Sequence, residues 1–148
     1  MTGVVALRPL GVRPEIALTP AQQHALQILQ DYDLGPVRAR LLREGAMPAA
    51  WVDEALYEFR RYLGLRALEP RPVMMLSRPI DAVWHTCLLF SRLYADLCAQ
   101  AFGEFVHHDP AMEVDPDRAA RWREFAAAYE RCYEPPGRLW QMGRPAAP

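Results

Sequence analysis

The residues that could carry chemistry are concentrated in one short stretch of the chain. Three of the four histidines and two of the three cysteines lie between His85 and His108. Imidazole nitrogens and thiolates are ligands that zinc, iron and copper prefer in proteins. The stretch therefore predicts a transition-metal site, with zinc as the first candidate ion.

The spacing of these residues restricts how they could share an ion. On one unbroken helix His85 and Cys98 would lie roughly 20 Å apart along the axis. Residues 89–92 are a candidate break, after which Ser91 would cap a new helix that carries Leu93, Leu97 and Phe102. A helical hairpin of this kind would bring His85 and Cys98 face to face.

Two further groups complete the predicted site. A loop after Gly103 carries two adjacent histidines that could close the site from the end of the hairpin. Asp81 lies one turn before His85, where it could hydrogen-bond the imidazole ring or bind the ion itself. The predicted ligands are His85, Cys98 and one or both of His107 and His108, supported by Asp81 and Cys87.

A purely structural interpretation of the same residues stays open. Free cysteine is a common small core residue, and a histidine beside Trp84 often bonds a backbone carbonyl or a carboxylate such as Asp81. Residues 107–110 are also typical of a turn. A redox role for Cys87 or Cys98 is a weaker hypothesis, because both lie on helix bodies and the chain has no Cys-x-x-Cys pair.

Prolines and glycines mark the helices that must position this stretch. Residues 19–22 have a capping-box pattern for a first helix that ends near Tyr32. A second, short helix is expected from Pro36 to a stop at Gly45, with three inward-facing residues: Val37, Leu41 and Leu42.

The next two helices flank a connector. A third helix begins near Pro48 and has one apolar stripe formed by Val52, Leu56, Phe59 and Leu63. Its opposite face carries the charged residues Asp53, Arg60 and Arg61. Residues 65–76 contain two prolines and predict an extended connector. Ser77 then caps the helix that carries Asp81 and His85.

The last helix completes an all-α fold class. Asp115 is its expected cap and Pro116 its first residue, and its buried stripe consists of Trp122, Phe125, Tyr129 and Cys132. No stretch alternates long enough to predict a strand. The expected architecture is a single bundle of about six helices with a central helical hairpin and a proline-rich tail. Residues 1–18 form an extended arm, residues 19–142 the helical domain and residues 143–148 a flexible tail.

Composition restricts the partners and the location. The 17 basic residues are all arginine and face 18 acidic ones, so the net charge of −1 argues against binding nucleic acid through excess positive charge. No apolar run approaches the roughly 20 residues that span a bilayer. The start of the chain lacks a leader pattern, and the odd cysteine count suits reduced thiols. We therefore expect a cytoplasmic protein that does not insert into membranes.

A series of uncommon residue types runs through the central segment in the order Asp81, Trp84, His85, Thr86, Tyr94, Cys98, Phe102, Gly103, His107, His108, Asp109 and Pro110. This series resembles the helical domain of plant glycine-rich domain-containing proteins and their short bacterial relatives, a group of largely unknown function. Residues 129–136 and Trp140 are similar to that domain's closing helix and tail. Cys87 replaces the second histidine of the family's Trp-His-x-His pattern. The resemblance covers residues 20–142 and implies a helical domain with no established reaction.

Two functions follow as expectations. The chain has no phosphate-binding loop, catalytic triad pattern or dinucleotide fingerprint, whereas Trp51, Tyr62 and Trp140 are residue types favoured as interface anchors. The sequence therefore predicts a non-catalytic binding or assembly module with a protein partner, rather than an enzyme. The alternative is a metal-binding protein, which would be an enzyme only with an open coordination position and a nearby base such as Glu104 or Asp109.

Overall fold

The computed structural model describes residues 8–109 and 115–146. Within these ranges the chain forms α-helices and short 3₁₀ turns and contains no strand, which confirms the all-α class. The helices are α1 (Pro20–Asp31), α2 (Gly35–Glu44), α3 (Val52–Leu68), α4 (Arg78–Leu89), α5 (Ser91–Phe102), α6 (Arg118–Cys132) and α7 (Arg138–Gln141). None of these helices has the length and apolar character that crossing a membrane requires.

Several helix ends lie where local chemistry places them. The hydroxyl of Thr19 accepts from the backbone N–H of Gln22, whose side chain in turn accepts from the N–H of Thr19, so α1 begins with the predicted capping box. Helix α2 ends at Gly45, whose φ of 62° lies in the left-handed region that glycine adopts without strain.

Helix α3 lies at the centre of the bundle, in contact with α1, α2, α4 and α6. Its buried side chains include the whole predicted stripe: Val52, Leu56, Phe59 and Leu63. The phenol of Tyr133 approaches its backbone so closely that a Cβ built on Gly64 would lie 2.5 Å from the Tyr133 oxygen. A glycine at this point of α3 is therefore a packing requirement.

The predicted connector begins too early in the sequence. Helix α3 continues to Leu68, so the connector covers residues 69–77 rather than 65–76. Glu69 leaves the helix with φ −111° and ψ 144°, because the ring of Pro70 disfavours helical backbone in the residue before it. Pro70 therefore ends this helix.

Two predicted caps are also wrong. Helix α5 begins at Ser91 itself, and its N-terminal flanking residue is Phe90. Helix α6 begins at Arg118 and is capped by Asp117, whose carboxylate accepts from the N–H of Ala120 at 3.0 Å. The predicted cap, Asp115, instead accepts from the N–H of Asp117.

Two side chains do not lie on the predicted face. Leu42, expected to face inward, is 39% exposed. Arg61, expected on the polar face of α3, is a core residue with 5% exposure. The rings of Tyr57 and Tyr133 lie 4.7 Å from its guanidinium carbon, so aromatic faces replace water around this charge.

A buried polar network explains the position of Arg61. Its guanidinium donates to the carbonyl of Leu10 and to the phenol of Tyr129, both at 2.9 Å, and pairs with Glu134. The Tyr129 hydroxyl donates to Glu58, and Glu58 also accepts from the Trp140 indole at 2.7 Å. The network joins the N-terminal segment, α3, α6 and α7.

Both ends of the described chain pack on the helices. Leu10 and Val12 are core residues, so residues 8–18 lie against the body instead of extending from it. Trp140 is completely buried, and a Cβ built on Gly143 would overlap the carbonyl of Leu76. Residues 1–7 of the predicted arm and 147–148 of the predicted tail lie outside the described residues.

Candidate metal centre

The central segment forms two helices, α4 and α5, that hold the candidate site. Phe90 separates α4 from α5 with φ −91° and ψ 63°, and its N–H donates to the carbonyl of Cys87. The predicted break at residues 89–92 is therefore confirmed, and the two helices contact each other.

A buried hydrogen bond from Tyr94 fastens the loop after α5 to that helix, and a second one connects the same tyrosine to α4. Gly103 ends α5 with φ 71° and turns the chain back. The hydroxyl of Tyr94 donates to the carbonyl of Val106 at 2.6 Å and accepts from the indole N–H of Trp84 at 3.0 Å. Since Trp84 is on α4 and Tyr94 on α5, one chain of hydrogen bonds fixes the loop relative to both helices. Nothing in the sequence pattern predicted this connection.

Three side chains converge where the loop meets the first turns of α4. The Nε2 atoms of His85 and His108 lie 3.1 Å apart. Asp81 Oδ1 lies 2.8 Å from the Nε2 of His108, and Asp81 Oδ2 lies 3.2 Å from the Nε2 of His85. Among the described residues these three form the cluster whose geometry could hold a metal ion.

The three side chains of the cluster differ in how far they are buried. The His108 side chain is 8% exposed, and its ring lies 4.3 Å from that of Trp84. Asp81 is 24% exposed and His85 is 57% exposed. The cluster is thus anchored in the core on one side and open to solvent at His85.

Hydrogen bonds between two neutral imidazoles and an ionised carboxylate cannot account for all three contacts, whereas an added proton or a bound cation can. A ring nitrogen of a neutral histidine carries either a hydrogen or a lone pair. If both Nε2 atoms donate to an ionised Asp81, two N–H groups oppose each other across 3.1 Å. If either ring presents a lone pair instead, that lone pair faces a carboxylate oxygen. A cation at the centre would allow all three groups to act as acceptors.

The separations also suit ligands of one ion. Bonds of about 2.1 Å at tetrahedral or octahedral angles place neighbouring ligand atoms about 3.0–3.4 Å apart. The three separations here are 2.8, 3.1 and 3.2 Å. Little movement of the side chains would be needed to coordinate a metal.

The two candidate loop histidines have different surroundings. His108 is in the cluster, whereas His107 is exposed and its ring lies 4.8 Å from that of Phe105. Of the adjacent pair, only His108 contacts the Asp81 and His85 side chains of α4. Asp81, expected to support His85, contacts both histidines of the cluster.

The cysteines do not join the cluster. Cys98, predicted as a ligand, is completely buried on the face of α5 that also carries Tyr94 and Leu97, and it is absent from the group that could hold an ion. Cys87 is completely buried as well, and burial raises the pKa of its thiol to about 12. Both thiols contribute to core packing.

We expect the three thiols to react slowly with a thiol reagent in the native protein. All three are buried, and burial raises the pKa of Cys87 and of Cys132 to about 12, so the reactive thiolate is scarce at pH 8. Modification by a chromogenic disulfide should be at least about 100-fold slower than in urea, because it requires local opening. Rapid labelling of one native thiol would instead support the redox hypothesis.

Comparison with known proteins identifies one matching family. The UCP032817-like family matches residues 24–132, which run from within α1 to the end of α6 and include all three residues of the cluster. The chain belongs to the UCP032817-like family. No curated protein and no solved structure matches it.

The interface anchors predicted for this UCP032817-like protein are only partly at the surface. Trp140 is a core residue, so it is not available to a partner. Tyr62 and Trp51 are half-buried and pack against the core, and the Tyr62 hydroxyl donates to the carbonyl of Val73. All three predicted anchors thus have structural roles that account for their burial.

Proposed function

We propose that the chain binds one divalent transition-metal ion through Asp81, His85 and His108. The observation that carries the proposal is the convergence of two imidazole nitrogens and one carboxylate within 4.8 Å of one another. The hydrogen-bonding conflict described above supports it further, because a cation would remove that conflict.

The composition of the ligand set favours zinc or iron(II). Two histidines and one carboxylate bind zinc in several hydrolases and iron(II) in oxygenases, in both cases leaving coordination positions open. Three protein ligands at this site would likewise leave room for water or a small ligand. The exposure of His85 agrees with an ion that solutes can reach.

We also propose kinship with the helical domain of the glycine-rich domain-containing proteins. Asp81, His85 and His108 all belong to the residue series on which that resemblance rests. Trp84 and Tyr94 of the same series support the loop that carries His108. The residues shared with that domain thus include the three proposed metal ligands and two side chains that hold the loop carrying His108. A protein partner, an assembly role and a cytoplasmic location stay predictions.

The test is metal binding by untagged protein after treatment with a chelator. Calorimetric titration with Zn²⁺ and, without oxygen, with Fe²⁺ should give one ion per chain. His85→Ala and His108→Ala should each weaken binding at least about 100-fold, because loss of even a supporting residue of a metal site costs 10- to about 100-fold. Elemental analysis of freshly purified protein identifies the ion.

His107→Ala provides the matched control, since it removes a neighbouring imidazole that lies outside the cluster. Its metal affinity should equal that of the wild type. Thermal melting shows whether each variant is folded. Absence of stoichiometric binding by the wild type, or equal binding by His108→Ala and His107→Ala, would contradict the proposal.

A further inference from the structure

A groove lies beside the candidate metal centre, and both histidines of the cluster line it. The groove has a volume of about 600 Å³ and runs between the end of α2 and helix α4. This volume lies within the range of small-molecule sites, about 300–1,000 Å³. The described lining residues are Glu44, Ala46, Ala82, His85, Thr86, Leu88, Leu89 and His108. Both imidazole rings of the cluster thus border this space.

Helix α4 gives the groove a mostly apolar wall. Ala82, His85 and Leu89 follow one another at steps of three and four residues, so they share one face of the helix. Leu89 is 65% exposed, the largest exposed fraction among the large apolar side chains that the structure describes. It lies about 6 Å beyond His85 along the helix axis. A molecule that coordinates an ion at His85 would therefore meet an apolar surface one turn away.

The polar lining groups other than the histidines already have partners. The hydroxyl of Thr86 donates to the carbonyl of Ala82 at 2.9 Å. The carboxylate of Glu44 accepts from Arg40 at 2.6 Å. None of the described lining residues is an arginine, so the lining side chains offer no cation to a second anionic group. The groove therefore suits an apolar body better than a polar or a doubly charged one.

The charge of the proposed centre favours an anionic head group. A divalent ion carries two positive charges, and the three ligands, two neutral imidazoles and the Asp81 carboxylate, supply one negative charge. The loaded cluster thus keeps one positive charge, which a monoanion would neutralise. Carboxylate oxygens are ligands that zinc and iron(II) accept in proteins.

We infer that the groove binds a small aliphatic monocarboxylate, whose carboxylate coordinates the ion and whose hydrocarbon chain lies along α4 over Leu88 and Leu89. The inference rests on the proposed function and names the class of its ligand. The ion binds the head group, and the apolar wall adds affinity, because each fully buried methylene tightens binding by up to about fourfold. Affinity should therefore increase with the length of the hydrocarbon chain.

The experiment titrates the Co²⁺-loaded protein with acetate, hexanoate and adipate and follows the visible absorption of the ion. Co²⁺ occupies the same kinds of site as zinc, and its spectrum changes when a carboxylate coordinates. Hexanoate should bind at least about tenfold more tightly than acetate, because its longer chain covers the apolar wall. Adipate should bind at least about tenfold more weakly than hexanoate, because its second carboxylate would lose water against apolar side chains.

Leu89→Ser tests the apolar wall, and Leu42→Ser is the matched control. Both variants replace an exposed leucine with the same polar residue, but Leu42 lies on α2 and is not among the described lining residues. Leu89→Ser should weaken hexanoate binding about threefold or more and leave acetate binding unchanged. Leu42→Ser should change neither. Thermal melting and Co²⁺ affinity show that each variant is folded and loaded.

Co²⁺ affinity also separates this inference from the proposed function. If one ion binds per chain but hexanoate binds no more tightly than acetate or adipate, the monocarboxylate inference is wrong and the metal proposal stands. The same conclusion follows if Leu89→Ser and Leu42→Ser bind hexanoate equally, or if hexanoate binds equally well without the ion. If the wild type binds no divalent transition metal, both are wrong.

Discussion

Replacing Arg61 with methionine should lower the free energy of unfolding by about 3–5 kcal/mol, the usual cost of removing one partner from a buried ion pair. Methionine fills much of the same volume but leaves the carbonyl of Leu10 without its donor. Glu58 would keep its bonds to Tyr129 and Trp140 but lose the nearby positive charge, 3.9 Å away. The loss comes mainly from the Leu10 carbonyl, which loses its donor, and from the Glu58 charge, which stays largely buried without a nearby cation.

Urea unfolding followed by circular dichroism measures this effect. Arg38→Met is the matched control, because Arg38 pairs with Asp53 on the exposed surface, where solvent screens the ion pair and its loss costs little stability. If Arg61→Met and Arg38→Met have the same unfolding free energy, the network does not stabilise the fold as described.

Replacing Trp140 with alanine should have an effect of similar size, about 3–5 kcal/mol. The indole is completely buried, its ring lies 4.4 Å from that of Phe125, and its N–H donates to Glu58. Alanine would leave a large cavity at the junction of α6 and α7. Trp140→Phe keeps an aromatic ring but removes the donor, so it should cost about 1–3 kcal/mol.

Trp51→Ala is the comparison for this second prediction. Trp51 is half-buried, and Arg138 lies over its ring, so its loss should cost less, about 1 kcal/mol. Thermal and urea unfolding of the three variants should rank Trp140→Ala below Trp140→Phe and Trp51→Ala. An equal effect of the two alanine variants would mean that Trp140 is not part of the core.

Much of the fold is predictable because the signals are local. The capping box at residues 19–22, the left-handed Gly45 and the break at residues 89–92 each depend on a few consecutive side chains. The apolar stripe of α3 depends only on helical period. Errors arose where two local signals competed, as at residues 115–118, where either Asp115 or Asp117 could cap the helix.

The burial of Arg61 could not be predicted in this way. It follows Arg60 in a helix, and a pair of arginines is typical of a solvent-exposed face. Its partners are Leu10, Tyr129 and Glu134, which lie 51, 68 and 73 positions away. Only the packing of α6 and of the N-terminal segment against α3 brings these groups together.

The candidate site was likewise predictable where its signals are local and unpredictable where they depend on the path of the chain. Asp81 and His85 are one helical turn apart, so their proximity is local and was predicted. The choice of His108 over His107 depends on the path of the loop, which the bond from Tyr94 to Val106 determines. The position of Cys98 was predictable after all: it follows Tyr94 by four residues and Leu97 by one, a spacing typical of a buried stripe.

The unequal exposure of the two histidines has a kinetic consequence for the proposed site. His108 and Asp81 are held together in the folded chain, whereas His85 is 57% exposed and lies on the solvent side of the cluster. An ion that arrives from solvent would contact His85 first, and an ion that leaves would pass it last. The rate of metal exchange should therefore depend on His85 more than on His108.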